Sequence, residues 1–133
     1  MNWYKTASLD AQWIHAFTMA FSMVDQSFGH FQPVRSSSRP GGQVFDLVFS
    51  NLREMNQNTN PPCTVRLEIN VPKEIVRYQV QMGNKLLDAD SLSTGSELIP
   101  QVASKIVNSA MMALKAFKAN TPTGQNPTQN KTV

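Results

Sequence analysis

The sequence predicts an α+β domain: two N-terminal helices, a three-stranded antiparallel meander, and a C-terminal helix packed on the sheet. Three observations predict it. Apolar residues recur every three or four positions over residues 9–28 and again over 99–117, the period of one helix face. Residues 64–71 and 76–82 alternate strictly between apolar and polar, the period of a strand with one buried face. Turn-forming residues sit at 72–75 and at Gly83 and Asn84, where antiparallel strands must reverse.

In the first helix Leu9, Trp13, Phe17, Phe21, Val24 and Phe28 form the apolar stripe, and Ala16, Met19, Ala20 and Met23 widen it. His15, Thr18, Ser22 and Asp25 form the polar strip. A helix this apolar must be deeply buried or must also face a partner. Ser8 is placed to cap its start, Asp10 suits its first turn, and Gly29 and Pro33 stop it. Residues 33–42 (PVRSSSRPGG) read as an exposed linker, with two prolines, two glycines and no apolar period. Residues 43–56 fit either period. As a helix, Val44, Val48, Leu52 and Met55 oppose Gln43, Asp46, Ser50 and Arg53; as a strand, Phe45, Leu47 and Phe49 share a face. The polar face, regular over three turns, favours the helix. A strand there changes the order to α-β-β-β-β-α. Residues 56–62 (NQNTNPP) form a loop.

The hairpin that follows pairs Val71 with Val76, Ile69 with Tyr78, Leu67 with Val80 and Val65 with Met82, leaving one wholly apolar face. A third strand, residues 85–90, returns with Leu87 beside Val80 and Ala89 beside Tyr78. Asp90 then opposes Arg77 and Asp88 opposes Gln79 on the outer face, where Arg66, Glu68, Arg77 and Asp90 are matched charges. Thr94 and Glu97 have capping-box spacing ahead of the last helix, and Pro100 suits its first turn. Val102, Ile106, Ala110, Ala113 and Phe117 continue the stripe begun by Ile99, and Lys115 and Lys118 suit the last turn.

A chain of 133 residues points to one domain. The domain occupies residues 1–119. Residues 120–133 are nearly all Thr, Gln, Asn, Pro and Gly, too polar to offset their ordering entropy, so a disordered tail is expected. The net charge is +3, and residues 91–133 carry an excess of that size through Lys105, Lys115, Lys118 and Lys131 against Glu97. Cys63 is the single cysteine, which excludes an intrachain disulfide and fits the cytoplasm or an intracellular particle. The uncharged run at 11–24 is too short to span a bilayer. It also lacks the flanks of a signal peptide, because Asp10 precedes it and no small-residue cleavage site follows. The acidic ends of the first helix, Asp10 and Asp25, suit anionic lipid poorly.

Chemistry-bearing motifs are absent. His15, His30 and Cys63 are too few and too scattered for a zinc site. Asp88 and Asp90 resemble the start of a calcium loop, but Ser93 stands where that loop needs Gly and Ile99 where it needs Glu. Gly41 and Gly42 are followed by no Gly-Lys-Ser, so no phosphate loop forms. No Ser or Cys has a neighbouring base, so neither an enzyme nor a cofactor is expected. Asn130, Lys131 and Thr132 match a glycosylation sequon, which matters only in a secreted chain.

Two functions fit. The first is a non-enzymatic assembly or binding protein that self-associates through Trp13, Phe17 and Phe21, with Trp3 and Tyr4 beside them. The helices hold more apolar surface than one small sheet covers, and the sheet has two open edges. Met112, on the polar side of the last helix, suggests a second contact. The alternative is a nucleic-acid module using Arg35, Arg39, Lys105, Lys115 and Lys118. The two arginines and three serines of RSSSR suit oxyanions. In element order the chain resembles double-stranded-RNA-binding domains. The basic cluster that such domains place at the start of the last helix is missing, since residues 96–100 read SELIP.

Overall fold

The computed structural model describes residues 9–24, 28–51 and 62–120. Its order is α1 (Leu9–Ser22), β1 (Gln32–Ser38), β2 (Val44–Ser50), β3 (Cys63–Asn70), β4 (Ile75–Met82), β5 (Lys85–Ser93) and α2 (Ile99–Asn120). The strands form one antiparallel sheet in sequence order, and both helices lie on the same face of it. The α+β class therefore holds. Among the described residues, one N-terminal helix replaces the expected two, and five strands replace the expected three.

Both differences come from residues 32–50. The expected second helix is β2. Phe45, Leu47 and Phe49 stand opposite Ile69, Leu67 and Val65, and all six are buried. A helix here would satisfy its own hydrogen bonds, but it would leave the edge of β3 unpaired and three large side chains on different faces. The expected linker is β1. All seven of its residues are exposed, so it has a ladder but no buried face, and no apolar period marks it in sequence. Its turn to β2 closes with Arg39 N–H donating to Val44 O at 2.9 Å and Gly42 N–H donating to Arg39 O at 2.9 Å. Gly41 and Gly42 take φ of 97° and 71° there, where a side chain would strain the backbone.

The β3–β4 hairpin keeps the expected faces in a different register. Ile69 pairs with Val76, Leu67 with Tyr78 and Val65 with Val80. A shift of two residues preserves the alternation, which is why periodicity alone did not fix it. In β5 the expectation fails by one residue. A bulge at Leu87 separates the Gln81–Leu86 pair from the Val80–Asp88 pair. Asp88 and Asp90 are thereby turned to the helix side, and Ala89 joins the outer row.

In α1 Trp13, Ala16, Phe17 and Phe21 are buried. Phe21 stacks on Phe31 at 4.8 Å, and Phe17 and Phe21 meet Phe49 at 5.9 and 5.2 Å. α2 contributes Val102, Ala103, Ile106, Val107, Ala110, Met111 and Leu114 to the same core. Its start is held by Leu98 N–H donating to Gln101 Oε1 at 3.1 Å, half of a capping box four residues along from the expected one. Asn51, 2% exposed, ties the turn after α1 to the sheet. Its Nδ2 donates to Phe28 O and its Oδ1 accepts from Cys63 N–H. The expected loop at 56–62 lies almost wholly outside the described residues, and so does the expected tail beyond residue 120.

Candidate functional site

Trp13, Phe17 and Phe21 lie within the chain's own core, at 5%, 0% and 2% exposure. Their own chain covers them, so they offer a partner no surface in this conformation. Trp3 and Tyr4 lie outside the described residues. Among the described residues, the large apolar side chains left bare are Met19, Met23, Val34, Leu86, Leu98 and Met112. Met112, singled out from its place on the polar side of the last helix, is 70% exposed.

The outer face of the sheet is polar and ordered in cross-strand rows. One row runs Arg35, Val48, Arg66, Gln79, Ala89; the next runs Ser37, Asp46, Glu68, Arg77, Ser91. Asp46 and Glu68 are like charges directly opposite each other, a destabilising pair by itself. Arg39 resolves it. Its guanidinium donates to Asp46 at 3.0 and 3.1 Å and to Glu68 at 2.6 Å, and Arg77 donates to Glu68 at 3.0 Å. The hydrogen bond from Arg39 is the main reason the Glu68 carboxyl sits below the ordinary carboxylate range. Partial burial opposes that shift, and Arg77 adds to it. Arg39 is thus committed to two carboxylates. Arg35 and Arg66 form no ion pair among the described residues, although Arg66 donates to Gln81 Oε1.

Lys105, Lys115 and Lys118 lie on α2, across the sheet from Arg35 and Arg39, so the five basic residues do not form one surface. Lys105 pairs with Glu97, and Lys118 sits 5.4 Å from the centre of the Phe28 ring. Arg66 and Arg77, which sequence reasoning treated as cross-strand charge partners, are the residues that accompany Arg35 and Arg39 on the outer face. Only the pairing of β1 and β2 brings these four together.

The two edges of the sheet differ. β1 carries Pro33 and a register break next to it at Val34, both of which blunt an edge. β5 is nine residues long, has no proline, lies last in the sheet, and pairs without a break from Asp88 to Ser93, beyond its bulge at Leu87. Beside it a groove of about 580 Å³ opens between β5 and α2. Leu86, Met112 and half-buried Phe117 supply its apolar wall, and Tyr78, Asp88 and Ser109 its polar floor. Lys85 Nζ lies 5.7 Å from the centre of the Phe117 ring. Burial raises the pKa of the Tyr78 phenol above its ordinary value. A hydrogen bond with Ser109 works against this, and the charges of Asp88 and Asp90 reinforce it. The phenol is therefore neutral near pH 7 and serves as a hydrogen-bonding group, not as a base.

Among the described residues, no group of three or more His, Cys, Asp or Glu is placed to hold a metal, and no helix is long and apolar enough to cross a membrane. The chain matches no protein-family model, no curated protein and no solved structure.

Proposed function

We propose that this chain is a non-enzymatic assembly protein that associates with copies of itself, edge to edge through β5. The observation that carries this reading is a long, proline-free edge strand flanked by bare apolar side chains. Leu86 is 52% exposed and Met112 is 70% exposed, on either side of the groove below α2. An unpaired edge presents a row of N–H and C=O groups that pair with another strand, and a twofold axis makes the same edge serve both copies. The charges of β5 select a register. Antiparallel pairing that sets Lys85 against Asp90 of a second copy forms two symmetric ion pairs, against one repulsive Asp88–Asp88 pair at the twofold axis. Pairing that sets Asp88 against Asp90 is repulsive.

Size-exclusion chromatography with light scattering tests the proposal. The unaltered chain is expected to run as a dimer or larger at micromolar concentration, and Leu86→Lys with Met112→Lys is expected to run as a monomer. Both side chains are largely exposed, so the pair of changes leaves the core intact. A monomeric unaltered chain at about a hundred micromolar, where even weak pairing saturates, sinks the proposal.

A second reading has one observation in its favour: Arg35 and Arg66 share an outer row with Arg39 and Arg77 in the next positions, four arginines against Asp46 and Glu68. Such a face suits a polyanion, including a nucleic-acid backbone. With two arginines uncommitted to carboxylates, the slope of log affinity against log salt should be shallow, near −2 (about −0.9 per phosphate neutralised). Binding that is flat with salt, or absent at low salt, removes this reading.

A further inference from the structure

α1 and α2 do not close fully over one another. Between them runs a groove of about 510 Å³, lined by α1, the two residues that follow it and α2, with no strand residue. Met19 and Met23, 50% and 82% exposed, stand on the α1 side, and Pro100, Ser104 and Asn108 stand at four-residue intervals along α2. Among the described residues, no Asp, Glu, Lys or Arg lines it. A helix at a protein's surface ordinarily turns charged side chains to water. Here the whole run from Ala11 to Val24 lacks them, and Lys105, Lys115 and Lys118 of α2 stand clear of the groove. Depletion of charge together with bare methionine is the composition of an interface centre, not of a solvated face.

The spacing on α1 makes a helix the natural contacting element. Gln12, Ala16, Met19 and Met23 recur at intervals of four, three and four, the seam spacing of two helices packed at a shallow angle. We propose that the groove receives α1 of a second copy of this chain, while the second copy's groove receives α1 of the first, in a twofold contact between helix faces. The charge pattern favours a second copy over an unrelated partner. The chain carries a net +3, so two copies repel where their cations face each other. They meet without that cost where neither surface is charged, and an uncharged face is complementary to itself. The groove shares no lining residue with the one beside β5, so a chain can use both. Either contact alone builds pairs, and the two together build a four-chain assembly. The helix contact has no hydrogen-bonded ladder and is the weaker, with a dissociation constant on the order of 100 µM.

Light scattering from about 10 µM to about 1 mM, a range that brackets such a constant, tests the contact. The unaltered chain is expected to double in mass over this range, from two copies to four. Met19→Glu with Met23→Glu is expected to hold at two. These changes lower the net positive charge, so general repulsion between copies would predict the opposite result. Both side chains are at least half exposed, and the melting curve is expected to stay cooperative. Asn108→Glu, an exposed change on the α2 side of the groove, is expected to act in the same direction. The Leu86→Lys, Met112→Lys chain is expected to rise from one copy to two. Equal mass at the upper concentration with and without the glutamates overturns the proposal. So does a Leu86→Lys, Met112→Lys chain that never exceeds one copy. If β5 pairing is the reading that fails, the unaltered chain passes from one copy to two and the glutamates alone stop it, which supports the helix contact.

Discussion

The two faces of the sheet are built on opposite principles. On the helix side of β2, β3 and β4 the cross-strand rows are apolar, as in Leu47, Leu67 and Tyr78 or Phe49, Val65 and Val80. Their stability comes from area removed from water, which needs only the right residue class at the right period. On the outer side the rows are held by named partners. Asp46 and Glu68 are tolerable neighbours only because Arg39 reaches both from the turn between β1 and β2. One face is robust to the identity of each member, and the other depends on particular pairs yet contributes little to stability.

That contrast is sharpest under substitution. Phe49→Ala removes a fully buried ring that meets Phe17 and Phe21, and is expected to cost about 3–5 kcal/mol in a denaturant titration. A loss near 1 kcal/mol would mean that the inner face is loosely packed. Asn51→Ala comes next. It removes the two hydrogen bonds that the buried Asn51 side chain makes with Phe28 O and Cys63 N–H, with an expected loss of about 1–3 kcal/mol. The smallest effect is expected on the outer face, where Glu68→Gln should cost under about 1 kcal/mol. This last difference also depends on pH. Folding lowers the pKa of Glu68, so its contribution is complete above the unfolded-state value near 4.5 and is lost as pH falls through the folded value. The unaltered chain and Glu68→Gln should therefore melt apart near neutral pH and converge in acid. A gap that widens in acid would contradict the ion-pair account.

The edges repeat the lesson on a smaller scale. β1 is blunted by Pro33 and a register break, whereas β5 has no proline and, past its bulge at Leu87, runs regularly from Asp88 to Ser93. Counting from the Gly83–Asn84 turn puts both aspartates of β5 on the outer face. The bulge at Leu87 sends both to the helix side, beside Tyr78. A bulge leaves no mark in a hydrophobic period, because one inserted residue looks like one more step of the strand. The same limit hid β1, which buries nothing. It also gave β2 to the wrong period, since Val48 faces outward and yet is only 9% exposed between Arg35 and Arg66. Met112, beside the β5 edge, was legible in advance because an apolar residue on a polar helix face stands out locally.

By itself the sequence determined the α+β class, the two long helical stripes, the β3–β4 hairpin and the faces of its side chains. These follow from short-range period and turn chemistry, which any window of a dozen residues contains. Tertiary structure alone decided that residues 32–50 are strands, that Trp13, Phe17 and Phe21 turn inward, and that Arg39 bridges Asp46 and Glu68. The physical reason is that each of these depends on a neighbour distant in sequence. A strand without a buried face is stabilised by the hydrogen bonds of its partner, and which side of an apolar helix meets water is set by what packs against it.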